Sequence, residues 1–291
     1  MSTINSPLDV GFDRRMHVID RCQVALLRAV SNEAGDRLLV KGGMAMRVAF
    51  GSMRLTKDIH FDRVDSMSSA SVKSTVRSAM KTAASTAGLR SVEIAVTKDT
   101  GTTTRLRMTG LTHTGEDVRF ETEISGRDQP LGAVRQLVQV VPPSSYAIAP
   151  FMVHTYTLDA VTVQKVAAVL ADMRNVPRDI YDLKDLIALG ANPVGLLRSL
   201  PQAKLDGLKK DILAQLSQIT WPMADTHLLP YIPKNERDVV TASAWDAYIL
   251  TVSETIDGWL SQASAPHGAF AHSASAPPDA APRSKRPGEP T

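Results

Sequence analysis

Between Lys41 and Asp62 the chain reads KGGMAMRVAFGSMRLTKDIHFD, and this stretch restricts the fold more than any other. Two glycines stand where a short apolar run, LLV, gives way to a helix-length segment, MAMRVAF. TKDIHFD then alternates, with Ile59 and Phe61 on one side of a strand and Asp58, His60 and Asp62 on the other. A diglycine turn before a helix lets backbone amides approach phosphate oxygens, and the helix N-terminus adds partial positive charge. A carboxylate on the following strand can hold Mg²⁺, which takes oxygen ligands and bridges protein to nucleotide phosphates. Alone, most Gly-Gly pairs are tight turns; the acidic strand that follows gives this one its meaning.

The flanking sequence supplies the rest of an α+β fold. Apolar residues on a helical period from 10 to 32 predict a helix before the LLV strand, and Val72, Val76, Ala79 and Met80 predict another across 68–87. On that second helix Lys73, Arg77 and Lys81 form a basic stripe, which reads as a solvated face. SVEIAVTK, TTTRLRMTG and VRFETEIS predict an antiparallel meander. Its last strand puts Val118, Phe120, Thr122 and Ile124 on one face and Arg119, Glu121 and Glu123 on the other. Two more short strands are expected at VRQLVQVV and around FMVHTYTL. Beyond Asp159 the periodicity turns helical: 159–173, a segment opening at RDIYDLKDLIAL, then 194–218 and 237–262, with Trp221 and the prolines at 222, 230 and 233 marking a loop. From Ser264 onward Ala, Ser and Pro dominate, with Arg283, Lys285 and Arg286, a composition that predicts a disordered tail.

Composition removes several function classes. No apolar run approaches the roughly 20 residues that span a bilayer, and the N-terminus has no signal-peptide core. Cys22 is the sole cysteine, which forbids an intrachain disulfide and predicts a reducing, cytoplasmic setting. Zinc spacing, a Walker loop, a dinucleotide fingerprint and a GxSxG elbow are all missing from the sequence. A net charge of +3 is too small to argue for nucleic acid by itself.

Taken together, KGG, Arg47 on the short helix, and R-x-T-x-D-I at Arg54, Thr56, Asp58 and Ile59 resemble the first motif of the AbiEii/AbiGii toxin family. These are nucleotidyltransferase-fold proteins of bacterial toxin–antitoxin and phage-defence systems. RFETEIS resembles the family's later carboxylate strand, and VQKVAAVLADMRNVPRDIYDLKDL its Lys helix followed by an Arg-Asp-x-x-Asp helix. The resemblance spans about Leu38 to Leu189 and implies a polymerase-beta-like nucleotidyltransferase core, a mixed sheet flanked by helices, with a C-terminal helical lobe. The expected divisions are 1–156 for the core, 157–262 for the lobe and 263–291 for the tail. By the same resemblance Gly42 and Gly43 cradle the triphosphate with Arg47 and Arg54 as nucleotide contacts. Asp58 and Glu123 hold Mg²⁺ or Mn²⁺, Lys165 reaches the phosphates, and Asp179 completes the catalytic set. Glu121 is an alternative to Glu123, being on the same strand face. The implied substrates are a nucleoside triphosphate and RNA, with the acceptor end of transfer RNA foremost, and a cognate antitoxin is the implied protein partner.

The chain departs from the family pattern in three places. His60 stands where a second Asp is usual; a neutral imidazole suits Mn²⁺ or Zn²⁺ better than Mg²⁺, and it reads as a strand histidine without a ligand role. Asp62, about 7 Å farther along the same face, replaces the lost carboxylate as a metal ligand only if the strand bends or a bulge intervenes. Met44 stands where a Thr is common. Asp172 occupies the position of a usual Arg, and Arg174 falls on the wrong side of a continuous helix to share Lys165's role. These departures keep a second reading open, a degenerate nucleotidyltransferase fold that binds nucleotide, RNA or protein without turnover. Phosphotransfer to a protein hydroxyl is a third.

Overall fold

The computed structural model describes residues 2–64, 67–127, 134–171, 175–208 and 211–265. Asp172, Arg174 and the tail beyond 265, with its basic cluster, lie outside the described residues. The strands are β1 (Ser2–Thr3), β2 (Leu38–Lys41), β3 (Ile59–Arg63), β4 (Arg90–Asp99), β5 (Thr103–Leu111), β6 (Asp117–Ser125), β7 (Arg135–Val141) and β8 (Phe151–Tyr156). The first helices are α1 (Arg14–Ala34), α2 (Gly42–Phe50) and α3 (Ser69–Ala87). They are followed by α4 (Leu158–Val169), α5 (Pro177–Ala188), α6 (Val194–Arg198) and α7 (Gln202–Leu208). The last are α8 (Ile212–Ser217), α9 (Trp221–His227), α10 (Lys234–Arg237) and α11 (Ala242–Ser264).

All eight strands form one mixed sheet in the order β1-β7-β8-β2-β3-β6-β5-β4. The meander β4–β5–β6 is antiparallel, as its turn signals predict, but β6 then runs parallel to β3, and β2 parallel to β8. Period-two alternation decides what each face meets. Val40, Ile59, Phe61, Phe120 and Ile124 enter a core with the apolar stripes of α1 and α3. Leu39 and Tyr156 enter a second core built mainly from the helical lobe, where Trp245 of α11 is fully buried and donates its indole N–H to the Ile219 carbonyl at 2.8 Å. Cys22 is buried on α1, and desolvation pushes its thiol up to about 12.

Two helical expectations change in detail. The 194–218 region is three short helices rather than one: Pro201 precedes α7, and Asp211 caps α8 by accepting the Ala214 N–H at 2.9 Å. The segment at Trp221, expected as a loop, is helix α9, because Pro222 falls in the first turn, where its missing N–H costs no helical hydrogen bond. Among the described residues no helix is long and apolar enough to cross a membrane.

Candidate active site

The site begins with strand register. Lys41 of β2 pairs with His60 of β3, which pairs with Glu123 of β6, which pairs with Arg105 of β5, so these four residues form one row across the sheet. The neighbouring row holds Leu39, Asp62, Ser125 and Thr103. Because period two exposes every second residue, both rows lie on the face turned away from α1 and α3. Where this face meets α4, α5 and α7 a cleft of about 580 Å³ opens, lined among others by Lys41, Gly42, His60, Asp62, Glu123 and Lys165. Asp179 closes it from α5, and Tyr156, Arg127 and Lys204 also reach it.

The diglycine and the Arg-x-Thr-x-Asp motif are two halves of one packing unit. Gly42, the first residue of α2, has φ +66°, the left-handed region that favours glycine, and a Cβ there would sit 3.6 Å from the His60 ring. Gly43 has no such backbone demand, but a Cβ would lie 2.8 Å from Thr56 Oγ1 and 2.9 Å from Arg54 Nη2. Thr56 Oγ1 in turn donates to the Asp58 carbonyl at 2.8 Å, and Gln23 of α1, 1% exposed, donates to the carbonyls of Thr56 and Lys57 at 3.1 and 3.2 Å. The loop that delivers Asp58 to the start of β3 is therefore fixed from both sides. Gly43→Ala is expected to cost about 1–3 kcal/mol by overpacking this junction, measurable as a lowered midpoint in urea unfolding.

Arg54 and Arg47, which the resemblance gives to the nucleotide, are placed elsewhere. Arg54 is 2% exposed and grips Asp182 of α5 through Nε and Nη2, both at 2.8 Å, while Nη1 donates to its neighbour's carbonyl, that of Leu55. Arg47 donates to Asp20 of α1 at 2.7 Å and to the Asn5 carbonyl at 3.0 Å. Neither lines the cleft. Asp62 also has both oxygens engaged, one by Lys41 Nζ at 2.5 Å and the other by the Tyr156 hydroxyl at 2.7 Å.

Lys165 extends from α4 between Asp179 at 2.7 Å and Asp182 at 2.5 Å, and the chain Arg54–Asp182–Lys165–Asp179 ties the loop before β3 to both lobe helices. Burial alone would raise the Asp182 carboxyl; Arg54 and Lys165 outweigh that and hold it below the usual carboxylate range. Burial likewise opposes ionisation of Glu123, and the hydrogen bond from Arg105 prevails, leaving it below its ordinary value. His60 is pushed down by burial against the pull of Glu123 and Asp58, with Lys41 and Lys165 adding to the depression, so it is a neutral imidazole at neutral pH.

The donor set fits a divalent cation in a particular way. Among the described residues no group of three or more His, Cys, Asp or Glu side chains is placed to hold an ion alone. Asp58 stands immediately before β3 and is not among the residues lining the cleft, but it and Glu123 both act electrostatically on His60 and Arg105. One or two carboxylates completed by substrate phosphates is the usual arrangement for Mg²⁺. The residues given no site role from sequence are Lys41, Gln23, Lys204 and Tyr156, the last of which reads from sequence as packing beside an apolar strand. Only Lys41 had a visible signal, its position immediately before the diglycine.

An eight-stranded mixed sheet with helices on its faces, a helical lobe and this cleft define a polymerase-beta-like nucleotidyltransferase. The chain belongs to the family described as nucleotidyl transferase AbiEii toxin, type IV TA system, whose model matches residues 25–267. It is thus a toxin-class nucleotidyltransferase that uses a nucleoside triphosphate. A comparison with curated proteins found no match. Among solved structures, JHP933 from Helicobacter pylori is similar with a TM-score of 0.56 at 15% identity, over 87% of this chain and 96% of that one. MenT4, a nucleotidyltransferase toxin from Mycobacterium tuberculosis H37Rv, is similar with a TM-score of 0.55 at 16% identity, over 88% and 91%. These identities carry the fold alone.

Proposed function

We propose that the enzyme transfers a nucleotide from a nucleoside triphosphate to RNA in the cytoplasm, with the acceptor end of transfer RNA as acceptor, and that it needs Mg²⁺ or Mn²⁺. The observation that supports this best is the convergence of Gly42, Glu123, Lys165 and Asp179 on one nucleotide-sized cleft at the start of α2, where no side chain caps the helix. Uncapped amides at a helix N-terminus and an adjacent lysine suit the phosphates. In the reaction an RNA hydroxyl oxygen bonds to the α-phosphorus, the bond to the bridging oxygen breaks, pyrophosphate leaves and the hydroxyl proton passes to solvent.

In this reading Gly42 and Gly43 present the helix amides, Lys165 balances phosphate charge, and Asp179 positions the lysine ammonium. Asp58 and Glu123 would hold the cation, which when bound neutralises phosphate charge and makes the attacking hydroxyl more acidic. Asp62 orients Lys41. A cognate antitoxin, general to the family, would control the activity. The test is incubation of the purified protein with transfer RNA and each radiolabelled nucleoside triphosphate, with Mg²⁺, with Mn²⁺ and with EDTA. Labelled RNA that disappears with EDTA is the expected result. Absence of label with every nucleotide, metal and RNA tried, or labelling indifferent to EDTA, would refute the proposal.

A further inference from the structure

A second cavity, of about 400 Å³, lies far from the cleft, between α1, the end of α3 and the turn joining β5 to β6. The turn precedes β6, so it stands on the order of 20 Å along that strand from Glu123, and the cavity belongs to the helix-covered side of the sheet. Its wall is basic. Arg14, His17 and Arg21 follow one another at three- and four-residue spacing along one face of α1, and His113 faces them from the turn, its Nε2 3.1 Å from Arg14 Nη2. Val18 and Ala87 supply an apolar floor.

Two features of this wall suit an anion. Arg21 Nε is buried with no hydrogen-bond partner among the described residues, although buried guanidinium donors are ordinarily satisfied. Arg14 also occupies the first turn of α1, followed by Arg15 and with no acidic residue in that turn, although the positive end of a helix dipole disfavours cations. The neighbouring carboxylates do not neutralise the pair. Asp20 is engaged by Arg47 and Tyr146 through Oδ2 while its buried Oδ1, unpartnered among the described residues, acts on His17 as a charge; Asp13 caps α1 through the Met16 N–H, and Glu116 accepts from Thr114 in the turn. Asp9 acts on His17 only as a neighbouring charge.

We infer that this cavity is a second ligand site, taking the phosphate of one nucleotide unit on Arg14 and Arg21 while its base lies over Val18, Ala87 and the His113 ring. Arginine forks match phosphate oxygens, and both arginine and histidine stack on bases. The unit is either a free nucleotide or one residue of an RNA strand. The site does not depend on the chemistry of the cleft.

Titration calorimetry on the full chain with AMP, with inorganic phosphate and with a short single-stranded RNA tests the assignment. The wild type is compared with Arg14→Gln/Arg21→Gln and with Lys98→Gln, an exposed position on β4 that lines neither cavity. Two lost charge-assisted contacts are expected to weaken AMP binding roughly tenfold or more in the double variant, with Lys98→Gln matching the wild type. Binding of RNA but not AMP, weakened by the same variant, assigns the site to the polymer. Thermal unfolding of the double variant checks its fold; should it fail to fold, Arg14→Gln alone, at an exposed position, gives the reading. The inference is overturned if the wild type binds neither AMP nor RNA, if the arginine variants bind as the wild type does, or if inorganic phosphate is the only anion retained.

Discussion

Arg54→Ala is expected to remove about 3–5 kcal/mol of folding free energy, the cost of leaving one member of a buried ion pair without its partner. Asp182 is fully buried and keeps only Lys165 once the guanidinium is gone. Urea unfolding followed by circular dichroism measures the loss, and Arg54→Lys should recover little of it, since an ammonium cannot reproduce the two-pronged contact. A loss below about 1 kcal/mol, the size typical of exposed pairs, would remove the claim that this pair holds the lobe to the sheet. The pH dependence has a definite sign. Because the folded Asp182 carboxyl lies below its unfolded value of about 3.9, its contribution is present above that value and is lost as pH falls through the folded one. Without Arg54 the carboxyl moves upward, so acid unfolding of the variant should begin at higher pH than that of the wild type.

Asp58→Ala is expected to lower nucleotide transfer by roughly a thousandfold, the scale on which loss of a group aimed at developing charge is felt. The structural change should be small. Asp58 is half-buried where the loop enters β3, the loop being already fixed by Thr56 and Gln23 through backbone carbonyls, and it takes part in no ion pair among the described residues. The discriminating measurement is therefore transfer rate beside unfolding midpoint. Lost turnover with an unchanged midpoint supports a role in the reaction; a variant as active as the wild type would exclude Asp58 from it.

The local parts of the fold were legible because each is governed by neighbours in sequence. Alternation in TKDIHFD put Ile59 and Phe61 in the core and His60 and Asp62 toward the cleft, and the same rule separated Phe120 and Ile124 from Glu121 and Glu123. Period two also sets which residues meet once strands pair, but it does not say which strands pair. That β3 runs beside β6, bringing His60 opposite Glu123, follows from tertiary packing. For the same reason the motif's arginines read as ligand contacts from sequence, whereas Arg54 finds its carboxylate on α5 and Arg47 on α1. Asp182 of α5 is the acceptor of two cations, Arg54 and Lys165, neither of them its neighbour in sequence. The cleft residues Tyr156 and Lys204 carry no motif, and Tyr156 reads from sequence as packing; that both border the cleft follows from where β8 and α7 lie.

The Arg54–Asp182 contact joins residues 128 positions apart, and Lys165 and Asp179 lie on the far side of the same interval. A ribosome making this chain must therefore extrude α5 before the loop carrying Asp58 can be clamped. A half-made chain has its glycines and its first carboxylate but not yet the lysine and carboxylates of α4 and α5 that border the cleft.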